Sequence, residues 1–158
     1  MLDADLVRDG FARTASPGRL EVVRTSPTVL LDAAHNAPGM SATVAALTDA
    51  FAVTHFVAVV AGLGDKDALA MLEVLEPAVA QVVVTQNGSP RAMPVDHLAD
   101  LARDVFGEDR VQVEDALDDA LSTAVGLADA ESQYGGAGVL VTGSVVTVGE
   151  ARTLLHRG

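Results

Sequence analysis

The chain has no cysteine and no tryptophan, and Lys66 is the sole lysine among its ten basic residues. The missing cysteine excludes a disulfide scaffold, a zinc ribbon and a thiol nucleophile. Aromatic residues make up 3% of the chain, too few for a platform on which bases stack. Basic residues number 10 against 22 acidic ones, a net charge of −12 at pH 7. Phosphate contacts need clustered Lys and Arg, so nucleic acid is not an expected partner. No apolar run approaches the roughly 20 residues of a membrane helix. Asp3, Asp5 and Asp9 near the start do not fit a secretory signal. What is present is a length of 158 residues, 49% hydrophobic and 20% charged. That is enough to bury a core of Ala, Val and Leu, and it excludes a disordered chain. A cytoplasmic, acidic, single α/β domain is expected. High Ala, Val, Asp and Arg with almost no Lys also follows from GC-rich coding, so the lysine shortage itself says little about function.

Short β-branched runs alternate with stretches of helical period. Strands are expected at 20–23, 28–31, 56–61, 81–85, 110–113 and 139–142, with Ser26-Pro27 turning between the first two. Helices are expected at 37–51, 67–75, 95–106, 115–128 and 148–155, and a glycine-rich loop at 134–138. The inward positions are expected to be Met40, Val44, Leu47 and Phe51; Leu69, Leu72 and Leu75; Leu98, Leu101, Ala102 and Val105; and Leu117, Leu121, Ala124 and Ala128. Alternation with short connections implies a Rossmann-like, mostly parallel sheet of about six strands flanked by helices. The first strand pair is the antiparallel exception. Residues 1–16 are expected to be a helix and linker preceding a domain at 17–158.

In an open parallel sheet, ligands bind outside the carboxyl ends of the strands. That edge carries Asp32-Ala33-Ala34-His35-Asn36, Gly62-Leu63-Gly64-Asp65-Lys66-Asp67, Thr85 to Arg91, and Gly143-Ser144. Each residue also has a plain structural reading. Asp32 suits a turn or a helix cap. A histidine after a strand is often structural. Gly62-Leu63-Gly64 lacks both the GxxxxGK[ST] of a P-loop and the third glycine of a dinucleotide fingerprint. Lys66 at a helix start opposes the helix dipole, which hints at an anionic ligand. Ser144 suits an N-cap, and its hydroxyl beside free N–H groups suits a carboxylate or phosphate. His55, His97 and His156 have no metal-site spacing, and Glu114, Asp115, Asp118 and Asp119 read as a solvated helix face.

Four segments then occur in order: Pro17-Gly18-Arg19-Leu20-Glu21, Asp32-Ala33-Ala34-His35-Asn36, Asp65-Lys66-Asp67 and Thr142-Gly143-Ser144-Val145. Together they resemble the carboxy-terminal domain of folylpolyglutamate synthases. These enzymes are often also dihydrofolate synthases and belong to the Mur ligase superfamily. The resemblance spans essentially the whole chain. It implies an ATP-dependent ligase that phosphorylates a folate or dihydropteroate carboxylate to an acyl phosphate, which the amine of L-glutamate then attacks.

The resemblance also assigns roles. Arg19 and Asp32, thirteen positions apart, match residues that contact ATP. His35, Lys66 and Ser144 match positions lining the amino-acid pocket, with Lys66 and Ser144 toward glutamate carboxylates. His35 is the candidate to orient the amine or take its proton. Magnesium ligands, the P-loop and most of the pterin site are implied on amino-terminal and central domains, which are the domain's partners. Two departures stand out. Proline follows Asn36 at Pro38 instead of directly, which can shift the helix start by a residue. No GxxxxGK[ST] occurs, so the chain is expected to be an excised domain or fragment that does not catalyse ligation alone. Two alternatives stay open: the domain of another Mur-type amino-acid ligase, or a non-catalytic nucleotide- or amino-acid-binding domain.

Overall fold

The computed structural model describes residues 21–25, 28–34, 36–50, 55–61, 68–86, 93–131, 137–143 and 145–157. Six strands form one sheet: β1 (Glu21–Thr25), β2 (Thr28–Asp32), β3 (His55–Val60), β4 (Gln81–Val84), β5 (Val111–Val113) and β6 (Ala137–Thr142). Their spatial order is β1-β2-β6-β3-β4-β5. β1 pairs antiparallel with β2, through a bulge between Val22 and Arg24, and every other pairing is parallel. The helices are α1 (Ala37–Ala50), α2 (Ala68–Leu75), α3 (Val95–Phe106), α4 (Leu117–Glu131) and α5 (Val145–Arg157).

The central strands are buried on both faces, which explains their unbroken apolar runs. Period-two alternation divides each strand between two cores. Phe56, Ala58, Val60 and Leu140 pack with Met40, Leu47, Leu72 and Leu98 on the side of α1, α2 and α3. Val57, Val59, Val139 and Val141 pack with Leu121, Ala124, Val148 and Ala151 on the side of α4 and α5. The chain thus builds β2 to β5 with helices on one face. It then returns through α4 on the other face and inserts β6 between β2 and β3.

Several expectations shift in detail. Residues Ala137 and Gly138 belong to β6, not to a loop. A Cβ at Gly138 would stand 3.0 Å from the Thr28 carbonyl oxygen and from the Phe56 ring, so glycine there permits close strand packing. Leu69 is 44% exposed, and α2 instead buries Ala68, Met71, Leu72 and Leu75. On α3, Ala99 and Phe106 are buried, whereas Leu101 and Val105 only flank the core. Arg110 closes a 3₁₀ turn before β5 instead of opening the strand. The last helix starts at Val145, three residues earlier than its apolar pattern suggests. The inward face of α4 is as expected, with Ala120 added. Segment 1–16, the Ser26-Pro27 turn and Phe51 lie outside the described residues.

Two side-chain clamps brace this frame. Arg110 donates from Nε to the Ala80 carbonyl (3.0 Å) and from Nη2 to the carbonyls of Glu76 (2.9 Å) and Val79 (2.7 Å). Its Nη1 pairs with the Glu76 carboxylate at 2.9 Å, and its guanidinium lies 5.0 Å from the centre of the Phe106 ring. Arg152 on α5 makes a bidentate pair with Glu21 on β1, at 2.8 and 3.1 Å. Those hydrogen bonds raise the Arg152 pKa further above its ordinary value; partial burial opposes them and the charge of Glu21 adds to them.

Candidate functional site

β2 and β6 are neighbours, yet the chain leaves β2 into α1 on one face and β6 into α5 on the other. The same divergence separates β6 from β3, which is followed by α2. These junctions are the topological switch points at which open α/β sheets bind ligands. Asp32, Thr142 and Val60 stand in register across them at the carboxyl edge.

Asp32 is 5% exposed. Its Oδ1 accepts from the Ala34 N–H at 2.9 Å, closing an Asx turn. The turn reading of Asp32 is therefore correct, but the cap of α1 is Asn36. Asn36 Oδ1 accepts from Gly39 N–H at 2.8 Å, and its carbonyl accepts from Met40 N–H at 2.9 Å. Pro38 falls in the first helical turn, where a missing N–H costs no intrahelical bond. Displacing the proline by one position thus leaves α1 starting at Ala37 with an intact cap.

Across from Asp32, Thr142 is fully buried and its hydroxyl has no hydrogen-bond partner among the described residues. Thr85, just beyond β4, is the same. A buried hydroxyl left unpaired costs about 1–3 kcal/mol. Among the described residues, both such hydroxyls sit at the carboxyl edge. Gln86 Oε1, one residue on, accepts from the first N–H of α3 at 3.2 Å. Glu114, read as part of a solvated helix face, instead ties β5 to α4: its N–H donates to the Val84 carbonyl, and its carboxylate accepts from Thr123 Oγ1. Asp115, Asp118 and Asp119 are exposed as expected, and His97 is exposed on α3.

The floor between β3 and β6 is unusually tight. Gly143 has φ +128°, and a Cβ there would come within 2.0 Å of the Ala61 carbonyl oxygen. That same oxygen accepts from Thr147 Oγ1, on the first turn of α5, at 2.8 Å. Neither Thr142 nor Thr147 stands out in the sequence as a functional residue. Both sit on or beside Thr142-Gly143-Ser144-Val145, and tertiary packing, not local pattern, gives them their surroundings.

Of the residues singled out from sequence, Asp32 is buried at the carboxyl end of β2, beside β6. Arg19, His35, Lys66 and Ser144 lie outside the described residues. The described residues that lead toward three of them (Ala34, Ala61 and Gly143) leave adjacent strands at one edge. No group of three His, Cys, Asp or Glu among the described residues is placed to hold a metal ion.

A doubly wound α/β domain with a polar carboxyl edge is thus the class that fold and site define. The chain belongs to the Mur ligase family: the model of its glutamate ligase domain matches residues 18–145. The chain is 48% identical to the dihydrofolate synthase/folylpolyglutamate synthase of Mycobacterium tuberculosis, over 99% of its length and 34% of that protein. A crystal structure of the M. tuberculosis folylpolyglutamate synthase complexed with ADP and AMPPCP superposes on it with a TM-score of 0.87, covering 100% of this chain and 36% of that one. A bifunctional folylpolyglutamate synthase/dihydrofolate synthase with Mn, AMPPNP and L-glutamate bound superposes with a TM-score of 0.76 at 27% identity, over 99% of this chain and 36% of that one. The chain thus spans about a third of these relatives, a share that 34% and 36% express directly.

Proposed function

We propose that this chain is the carboxy-terminal domain of an ATP-dependent ligase that adds L-glutamate to folate, and to dihydropteroate where the enzyme is bifunctional. The observation that carries the reading is 48% identity across 99% of the chain to an enzyme named for those two activities. On this reading residues 1–16 end an interdomain helix and linker, and 17–158 form the domain. The amino-terminal and central domains of such an enzyme supply the P-loop and the magnesium ligands. The protein acts in the cytoplasm; no helix among the described residues is long and apolar enough to cross a membrane.

The substrate carboxylate takes the terminal phosphoryl group of ATP, giving an acyl phosphate and ADP. The glutamate amine attacks the acyl carbon, the C–N bond forms, and phosphate leaves with its oxygen. The attacking nitrogen must lose a proton, which His35 is placed in the scheme to accept. Lys66 and Ser144 hold glutamate carboxylates, and Arg19 and Asp32 hold the nucleotide. Two observations support this division. Asp32 lies buried at a switch point. β1 enters the sheet beside the end of β2, with Glu21 opposite Leu31, and Arg19 precedes Glu21 by two positions in sequence.

The test is an activity assay of the ligase that carries this domain, following ADP release with a reduced folate or dihydropteroate as acceptor. Release must depend on L-glutamate and lapse with D-glutamate. Nucleotide binding with no preference for L-glutamate would overturn the reading and leave a nucleotide-binding regulatory domain. His35→Ala is expected to lower kcat; unchanged turnover removes His35 from the mechanism.

A further inference from the structure

From the ends of β2 and β6 we infer that Thr142 is a positioning residue for the nucleotide, its hydroxyl donating to the Asp32 carboxylate when nucleotide is bound. The inference rests on the proposed function above, which gives Asp32 to the nucleotide. Among the described residues the buried threonines are Thr43, Thr85, Thr142 and Thr147. Thr43 donates to the Gly39 carbonyl at 3.1 Å, and Thr147 to the Ala61 carbonyl at 2.8 Å. Thr85 and Thr142 have no partner among the described residues. What distinguishes Thr142 is its neighbour. It stands in register with Asp32 on the adjoining parallel strand. Leu30 and Leu140, two residues before each, pack in one core, so strand alternation turns Asp32 and Thr142 to that same face. Parallel strands lie about 4.8 Å apart, which sets a hydroxyl beside a carboxylate. Thr85 lies two strands further over, past β3.

In the domain alone Asp32 is held to its own loop, with Oδ1 accepting from the Ala34 N–H at 2.9 Å. A carboxylate has about four acceptor sites, so it can take a further donor without giving up that turn. Asp32 can hold a nucleotide's hydroxyl or amino donors only in a fixed orientation, and a neighbouring donor on a rigid strand fixes it. Thr142 is such a donor, and its burial keeps water from competing for the bond. The cost of its unmet hydroxyl in the free domain is then offset only in the bound state. Were Thr142 structural alone, valine would serve better there, having the same shape and no unmet donor.

The experiment is steady-state kinetics of the complete ligase with Thr142→Val, Thr142→Ser, Asp32→Asn and the double variant Thr142→Val/Asp32→Asn, each with its melting temperature free of ligand. Thr142→Val is expected to keep or raise the melting temperature and to raise KM for ATP about fivefold, with KM for L-glutamate within twofold of wild type. Thr142→Ser is expected to do the opposite: the lost methyl lowers the melting temperature, and KM for ATP stays within twofold of wild type. The double variant is expected to match Asp32→Asn in KM for ATP, because a residue that acts through another adds nothing once that other is changed. The inference is overturned if Thr142→Val lowers the melting temperature, or leaves KM for ATP unchanged while Asp32→Asn raises it. It is also overturned if KM for ATP and KM for L-glutamate rise together, if serine fails to restore KM for ATP, or if the two substitutions multiply in the double variant. If Asp32→Asn leaves KM for ATP unchanged, the nucleotide assignment itself falls, and this inference with it.

Discussion

The two edges of the sheet are built in opposite ways. At the amino edge, one arginine satisfies three backbone carbonyls and a carboxylate around the start of β4 and β5. At the carboxyl edge, two buried hydroxyls go without partners among the described residues, and a carboxylate is 5% exposed. Unmet buried polar groups each cost about 1–3 kcal/mol. The amino edge has spent its polar groups on stability. The carboxyl edge keeps some unspent, and it is the edge where α/β sheets bind ligands.

The contrast is sharpest at Gly143. Gly143→Ala adds both an unfavourable φ and a collision with backbone, and is expected to destabilise the fold by about 3 kcal/mol or more. Urea denaturation reads this directly; an unchanged midpoint would mean that the two loops are not in close contact. Next in size is Arg110→Ala. It strands three carbonyls, but the guanidinium is about a third exposed, with a side-chain accessibility of 34%. Allowing for that, a loss of about 1–2 kcal/mol is expected, with no change in KM for ATP or L-glutamate. A functional defect without loss of stability would erase the division between the edges.

Asp32→Asn should do the reverse. Asparagine still accepts from the Ala34 N–H, so stability is expected to stay within about 1 kcal/mol. The lost charge is expected to raise KM for ATP about tenfold in the complete ligase; unchanged nucleotide kinetics would make Asp32 a turn residue only. The smallest effect belongs to the Arg152–Glu21 pair, whose side chains are each 33% exposed. A double-mutant cycle in urea is expected to return less than about 1 kcal/mol of coupling, reduced further in molar salt. A larger value would mean that β1 depends on α5 for its place in the sheet.

Much of this frame was legible from the chain itself. Strands such as β3 and β6 are unbroken apolar runs because both faces are covered, and the alternation of β and α implied their parallel pairing. The antiparallel β1 was also legible, from the short link between two β-branched runs. Helix faces were less so. Leu69 has the spacing of a core residue yet faces solvent, because α2 turns Ala68 and Met71 inward. Period alone does not fix the rotation of so short a helix. At the site, Asp32 was visible because an acidic residue ending an apolar strand is conspicuous. Thr147 was not, since its partner lies 86 residues away in sequence. Glu21 was noticed as part of a motif, whereas its partnership with Arg152, 131 residues on, needed the folded chain. Long-range hydrogen bonds leave no trace in local pattern.

The insertion of β6 between β2 and β3 has a consequence for how the protein is made. Of the six described strands, the one inserted between β2 and β3 is made after the other five. Until residues 137–142 emerge, β1–β2 and β3–β4–β5 are separate pieces, each with an open parallel edge. Such edges are exposed to wrong pairing, and closing them requires contacts far apart along the chain. Once β5 is made, the nascent domain is two halves until β6 joins them.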